Sequence, residues 1–228
     1  MPCEVTCSAG SSAVLINSWL AVQGGDQRGI MRVLGLTDAA PATYPLGETL
    51  VCHLSHGGPG RRGDFAHVFI SPQLNGWTIV RGPSCDPDGC PQVASWVERL
   101  SQQYGRAQAY YFGSQNDGDA WLVAEAGRIT RRYSSNQPGT SLGEPLPVER
   151  RWLEHHGLSA PPEQLRDDEA FLDWALDCCA PAVAADLSID PVWTGWPGEV
   201  QVAGHALIAR TGAGLHQSVL RGCHRMRI

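Results

Sequence analysis

At 228 residues, 43% of them hydrophobic, the chain is long enough to bury one sizeable core without disulfides or metals, and no apolar run approaches the ~20 residues that span a bilayer. Its formal net charge of −6 argues against generic nucleic-acid binding, where clustered cations supply most of the affinity. All 17 basic residues are arginine, so any cationic site offers a planar, bidentate donor suited to carboxylates.

The start, MPCEVTCSAGSS, carries no periodic pattern, and residues 1–12 read as a flexible leader. It lacks the basic start and sustained apolar stretch of a secretory signal, which makes the cytoplasm the expected location. The eight cysteines, in a chain of this length, read as reduced thiols rather than a disulfide framework. Residues 13–22, AVLINSWLAV, form a dense β-branched and aromatic run that ends at Gly24-Gly25 and predicts a buried strand. Asp26 is placed to cap a following helix with Ile30, Val33 and Leu34 on one face and Gly35 at its end.

Residues 37–64 are rich in Pro, Gly and His and read as a long excursion with one short strand near 49–54. FAHVFIS and WTIVRG flank an Asn75-Gly76 turn, the strongest hairpin signal in the chain. PQVASWVERLSQQYG predicts a helix with Val93, Trp96, Val97, Leu100 and Tyr104 in one stripe, Pro91 at its start and Gly105 at its end. AQAYYFG, DAWLVAE and RITRRY, separated by turns at 116–118 and 126–127, predict an antiparallel meander. FISPQLNGWTIV and FGSQNDGDAWLV share a Phe, a Ser, a Gly-containing turn and a Trp, which raises the idea of a duplicated hairpin. A helix over 148–156 follows. A second helix from about Asp167 and Asp168 would pack through Phe171, Leu172, Ala175 and Cys179, with Cys178 and Cys179 adjacent inside it. VQVAGHALIAR adds a final strand, and residues 211–228 read as a disordered tail. The fold class is therefore α+β: an antiparallel sheet built from a hairpin and a meander and covered by helices. Residues 13–210 make one domain that includes a helical C-terminal extension from about residue 145.

Few motifs carry chemistry. Cys52-His53-x-x-His56 with Cys85 and Cys90 would offer a zinc set, against the plainer reading of a solvated loop and small core thiols. Many Cys/His pairs are conceivable, but no nucleophile elbow, HExxH or Walker motif is present, and no cofactor is expected. Asp117 with Asp119, and Asp167 with Asp168, suit turns and helix caps better than cation sites. His155-His156 suits a helix C-terminus, and Trp77 and Trp121 suit packing. The arginines of RITRRY are more suggestive. Strict alternation puts Arg128, Thr130 and Arg132 on one face and Ile129 and Arg131 on the other. On an edge strand, Arg128, Arg131 and Arg132, with Tyr110 and Trp121 beside them, would receive an extended acidic peptide by strand addition. The alternative is an ordinary solvated strand.

NSWLAVQGGDQRGIMRVLGL, HVFISPQLNGWTIVRG, the helix ending at Tyr104-Gly105, AYYFGSQNDGDAWLVAEAGRITRRY and GEPLPVERRWL together resemble small, largely uncharacterised bacterial α+β proteins, over roughly residues 13–153. Some of these are the non-catalytic peptide-binding proteins of crocagin-type ribosomal-peptide biosynthesis. The resemblance implies an accessory protein that binds a ribosomally made precursor peptide and presents it to modifying enzymes, and it carries over no binding residues. The rival expectations are a thiol- or metal-dependent hydrolase and a toxin-neutralising immunity protein. A homodimer through a strand edge is a further expectation; membrane and nucleic-acid partners are not expected.

Overall fold

The computed structural model describes residues 16–43, 67–113, 118–165, 169–189 and 202–212. The expected strand at 49–54, the Cys52, His53 and His56 segment, Asp117, Asp167, Asp168, the leader and nearly all of the tail lie outside the described residues.

The N-terminal apolar run forms β1 (Ile16–Gln23). Asp26 then caps α1 (Gln27–Leu34), its carboxylate accepting the Gly29 N–H at 2.8 Å. Gly35 closes that helix in the left-handed region, at φ 68°. Residues expected to wander instead form β2 (Thr37–Ala42). Its TDAAPA sequence has no alternation because the strand is solvated on both faces, so strand pairing rather than burial holds it.

The predicted hairpin is built from β3 (His67–Ile70), β4 (Gln73–Leu74) and β5 (Trp77–Arg81), turning through Asn75 and Gly76 at φ 46° and 82°. α2 (Gln92–Tyr104) buries Val93, Trp96, Val97 and Leu100 as its stripe demands. The meander follows as β6 (Arg106–Gly113), β7 (Asp119–Glu125) and β8 (Arg128–Ser134). The two hairpins that look alike in sequence differ in register. Phe69 pairs with Arg81, beyond Trp77, whereas Phe112 pairs with Asp119, before Trp121.

Next come α3 (Pro147–His155), α4 (Glu169–Asp177), α5 (Ala180–Leu187), β9 (Val202–Ala203) and β10 (Ala206–Arg210). Cys178 and Cys179 lie at the joint between α4 and α5 rather than inside one helix, and Pro181 sits in the first turn of α5, where its missing N–H costs nothing. The buried face of this region is Phe171, Trp174 and Cys178, while Leu172, expected to pack, is 61% exposed.

Among the described residues ten strands form one antiparallel sheet, in the order β2-β10-β3-β5-β1-β6-β7-β8, with β4 pairing β5 and β9. Alternation along β1, β6 and β7 divides the core in two. Leu20, Val22, Ala109 and Leu122 meet Ile30, Val97 and Leu100 from α1 and α2. Trp19, Ala21, Tyr110 and Trp121 meet Val148, Leu153, Trp174 and Val183 from α3, α4 and α5. The fold is α+β as expected, and the helices from residue 147 onward form the layer on the second face of the sheet rather than an appendage.

Candidate functional site

Among the described residues β8 ends the sheet, as the strand-addition idea required, but its side chains do not alternate as expected. Ala124 pairs with Ile129 and Val123 with Arg131, so Thr130 is an extra residue and the strand bulges there. Ile129 therefore packs against the first core, whereas Arg131 follows it onto the second face beside Tyr133. Arg132 returns to the first side.

Arg131 is 1% exposed, so it is not the open flanking charge that strict alternation suggested. Its Nε donates to both Glu149 oxygens at 3.2 and 3.0 Å, and Nη2 donates to Glu149 Oε1 at 2.6 Å and Glu163 Oε2 at 3.2 Å. Nη1 donates to the Gly143 carbonyl at 2.9 Å, and the guanidinium lies 5.8 Å from the centre of the Tyr133 ring. Burial works against the guanidinium charge, but the two carboxylates outweigh it and raise its pKa. Burial likewise pushes the Glu149 carboxyl up, opposed by Arg131 and by the Leu146 N–H that caps α3. With every strong donor paired, the group acts as a staple between β8, α3 and the segment around Gly143.

Tyr110 and Trp121 are also corrected: both are fully buried. Tyr110 stacks on Trp19 with ring centres 5.0 Å apart and donates its hydroxyl to Gln108 Oε1, and Trp121 stacks on Tyr133 at 4.2 Å. The packing expected of Trp121 is met, and the cover on this face comes from α3, α4 and α5, which the sequence around β6 and β7 does not reveal.

Arg132 is drawn to the loop after β5. Its Nη2 lies 3.6 Å from Asp88 Oδ1, while Ser134 Oγ donates to Asp88 Oδ2 at 2.5 Å. The Asp88 N–H in turn donates to Asp86 Oδ1 at 2.8 Å. Burial pushes the Asp86 carboxyl up to about 6, against the pull of the Gly89 and Asp88 N–H groups. Of the three arginines, Arg128 alone is exposed, at the hairpin end of β8.

The outer edge of β8 already holds a guest. The Arg132 N–H donates to the Leu142 carbonyl at 2.9 Å, and the Leu142 N–H donates to the Arg132 carbonyl at 3.0 Å. Residues 141–143 thus form a one-bridge clip along the strand, with the Leu142 side chain 52% exposed. Gly143 is required there: its φ is +75°, and an added Cβ would sit 2.0 Å from the Thr130 carbonyl oxygen. The opposite edge, β2, is blunted differently, by Pro41, by Asp38 at φ 53° and by a register shift against β10.

Other sequence candidates fall to structural roles. Burial pushes the Cys85 and Cys178 thiols up, so neither is a nucleophile at neutral pH. Cys85 and Cys90 pack in the first core, and among the described residues no three His, Cys, Asp or Glu side chains group as metal ligands. His156 Nε2 lies 2.9 Å from Asp177 Oδ2 and ties the end of α3 to the end of α4, as a helix-end histidine would. Asp119, whose carboxyl burial pushes up to about 7, accepts the Ala180 N–H at 2.9 Å and caps α5. No helix among the described residues is long and apolar enough to cross a membrane.

No family model, curated protein or solved structure matches this chain.

Proposed function

We propose that the protein is a non-catalytic binding module that takes an extended peptide, or an extended segment of a protein partner, along the outer edge of β8. The observation that carries this reading is the Leu142 bridge, because the same edge that would receive a peptide already pairs with an extended backbone through both polar groups of Arg132. Main-chain bonds of this kind supply affinity in strand addition, and flanking side chains supply preference. Arg128 is the flanking charge free to do so and favours an acidic ligand. The resemblance to crocagin-type accessory proteins adds that the peptide is a ribosomally made precursor, held for modifying enzymes in the cytoplasm. A second copy pairing edge to edge is the other occupant that this geometry admits.

A display selection for extended peptides, followed by backbone NMR of the complex, tests the reading. The expected result is a set of binders that shift the amides of Ile129 to Arg132 and weaken severalfold with Arg128→Glu. Binders that leave those amides unmoved would place recognition elsewhere.

A further inference from the structure

The clip states what its replacement must look like. Resting on the edge reading above, we infer that the β8 edge is selective for an extended peptide carrying an apolar residue followed by glycine, with an acidic residue downstream, and that residues 141–143 are a built-in stand-in for that ligand.

Three contacts set the pattern. The residue opposite Arg132 must offer both an N–H and a carbonyl, as Leu142 does at 3.0 and 2.9 Å, so proline is excluded there. Its side chain, like that of Leu142, lies half in solvent and half against the protein, which suits an apolar group of moderate size. The next residue, if it copies the clip, must bring its carbonyl to Arg131 Nη1, which holds the Gly143 carbonyl at 2.9 Å, and must take the same left-handed backbone at φ +75°, on which a Cβ would stand 2.0 Å from the Thr130 carbonyl oxygen. Only glycine meets both demands. The bridge is antiparallel, so the guest chain runs towards the β7–β8 hairpin. In the clip it stops short, because Pro145 and Leu146 lead directly into α3. A free ligand would continue past Thr130 and Ile129 towards the exposed Arg128, where an acidic residue downstream of its glycine would meet the guanidinium. These added contacts give a ligand the means to displace the clip, which as a tethered segment competes at an effective concentration on the order of millimolar.

The test uses two variants that open the edge and three peptides. Gly143→Ala forces the clip away from Thr130. Leu142→Pro removes the N–H donor to Arg132, and Ser141, at ψ 140°, already has the backbone that a following proline accepts. The probe is the acetylated, amidated peptide PGTSLGEPL, the chain's own residues 138–146, compared with its Leu-Ala version and with PGTSLGSTE, which places an acid three residues after the glycine. Either opened variant should bind the first peptide at least tenfold tighter than the unaltered protein does. It should bind the Leu-Ala peptide at least tenfold more weakly than the first, and the extended acidic peptide tighter than the first by an amount lost with Arg128→Glu. Equal binding of the Leu-Gly and Leu-Ala peptides would overturn the ligand pattern and leave the edge reading standing. Failure of an opened variant, its Arg132 amide exchanging freely, to bind any of the three would overturn both.

Discussion

The two sides of β8 treat the same residue type in opposite ways. Towards the second helical layer Arg131 is 1% exposed and saturated by Glu149, Glu163 and the Gly143 carbonyl; at the hairpin end Arg128 stands in water with its charge unspent. The bulge at Thr130 makes the difference, since without it Arg131 would share a face with Ile129. An arginine-rich strand is thus not a cationic surface by composition alone. One of its charges is part of the scaffold, one ties down a loop, and one stays exposed.

The largest effect expected from breaking this comparison is at the buried side. Arg131→Met leaves Glu149 buried and uncompensated and should cost about 3–5 kcal/mol in a urea unfolding series. Arg131→Met combined with Glu149→Leu should recover more than half of that loss, because the orphaned charge goes with its partner; a double variant as unstable as the single would mean that the staple acts through packing instead.

A smaller effect concerns pH. The Asp119 carboxyl is raised to about 7 and that of Asp86 to about 6, both by burial. A raised folded-state pKa contributes stability that is fully present below the unfolded value of ~3.9 and is lost as pH rises through the folded one. Stability from these two groups should therefore decline between roughly pH 4 and pH 7. Asp119→Asn keeps an acceptor for the Ala180 N–H and should flatten the upper part of that decline. An unchanged slope of urea midpoint against pH would remove Asp119 as its source.

The smallest effect on stability belongs to the free arginine. Arg128→Glu should change unfolding free energy by no more than about 0.5 kcal/mol, as surface substitutions do, while weakening an acidic peptide severalfold. A variant that loses both stability and binding would show that Arg128 is structural like its neighbours.

Sequence carried the elements whose signals are local. The Asp26 cap, the Asn75-Gly76 turn and the stripe from Val93 to Leu100 each encode their own geometry within a few residues, and all three stand where expected. Features fixed by distant partners were not legible. TDAAPA becomes β2 only because β10, far along the chain, pairs with it. The Thr130 bulge leaves no mark in RITRRY, yet it sends Arg131 into the core. Trp121 packs as its place at the head of an aliphatic strand suggested, but that α3, α4 and α5 would cover it and Tyr110 was not legible. The candidate site was less legible: an edge position for β8 entered only as a condition, and the clip not at all, because SLGEPLP gives no sign that Leu142 will bridge to Arg132. Gly143 was the available hint, a glycine before a helix start whose need for positive φ becomes clear only beside the Thr130 carbonyl.

The most direct test of the central claim is residue-resolved amide hydrogen exchange, without and with a selected peptide. In the free protein the Arg132 and Leu142 N–H groups are bonded to each other's carbonyls, so both should be protected. On binding, Arg132 should stay protected by its new partner while Leu142 loses protection as the clip is released. Saturating peptide that leaves both amides as they were would contradict recognition at the β8 edge.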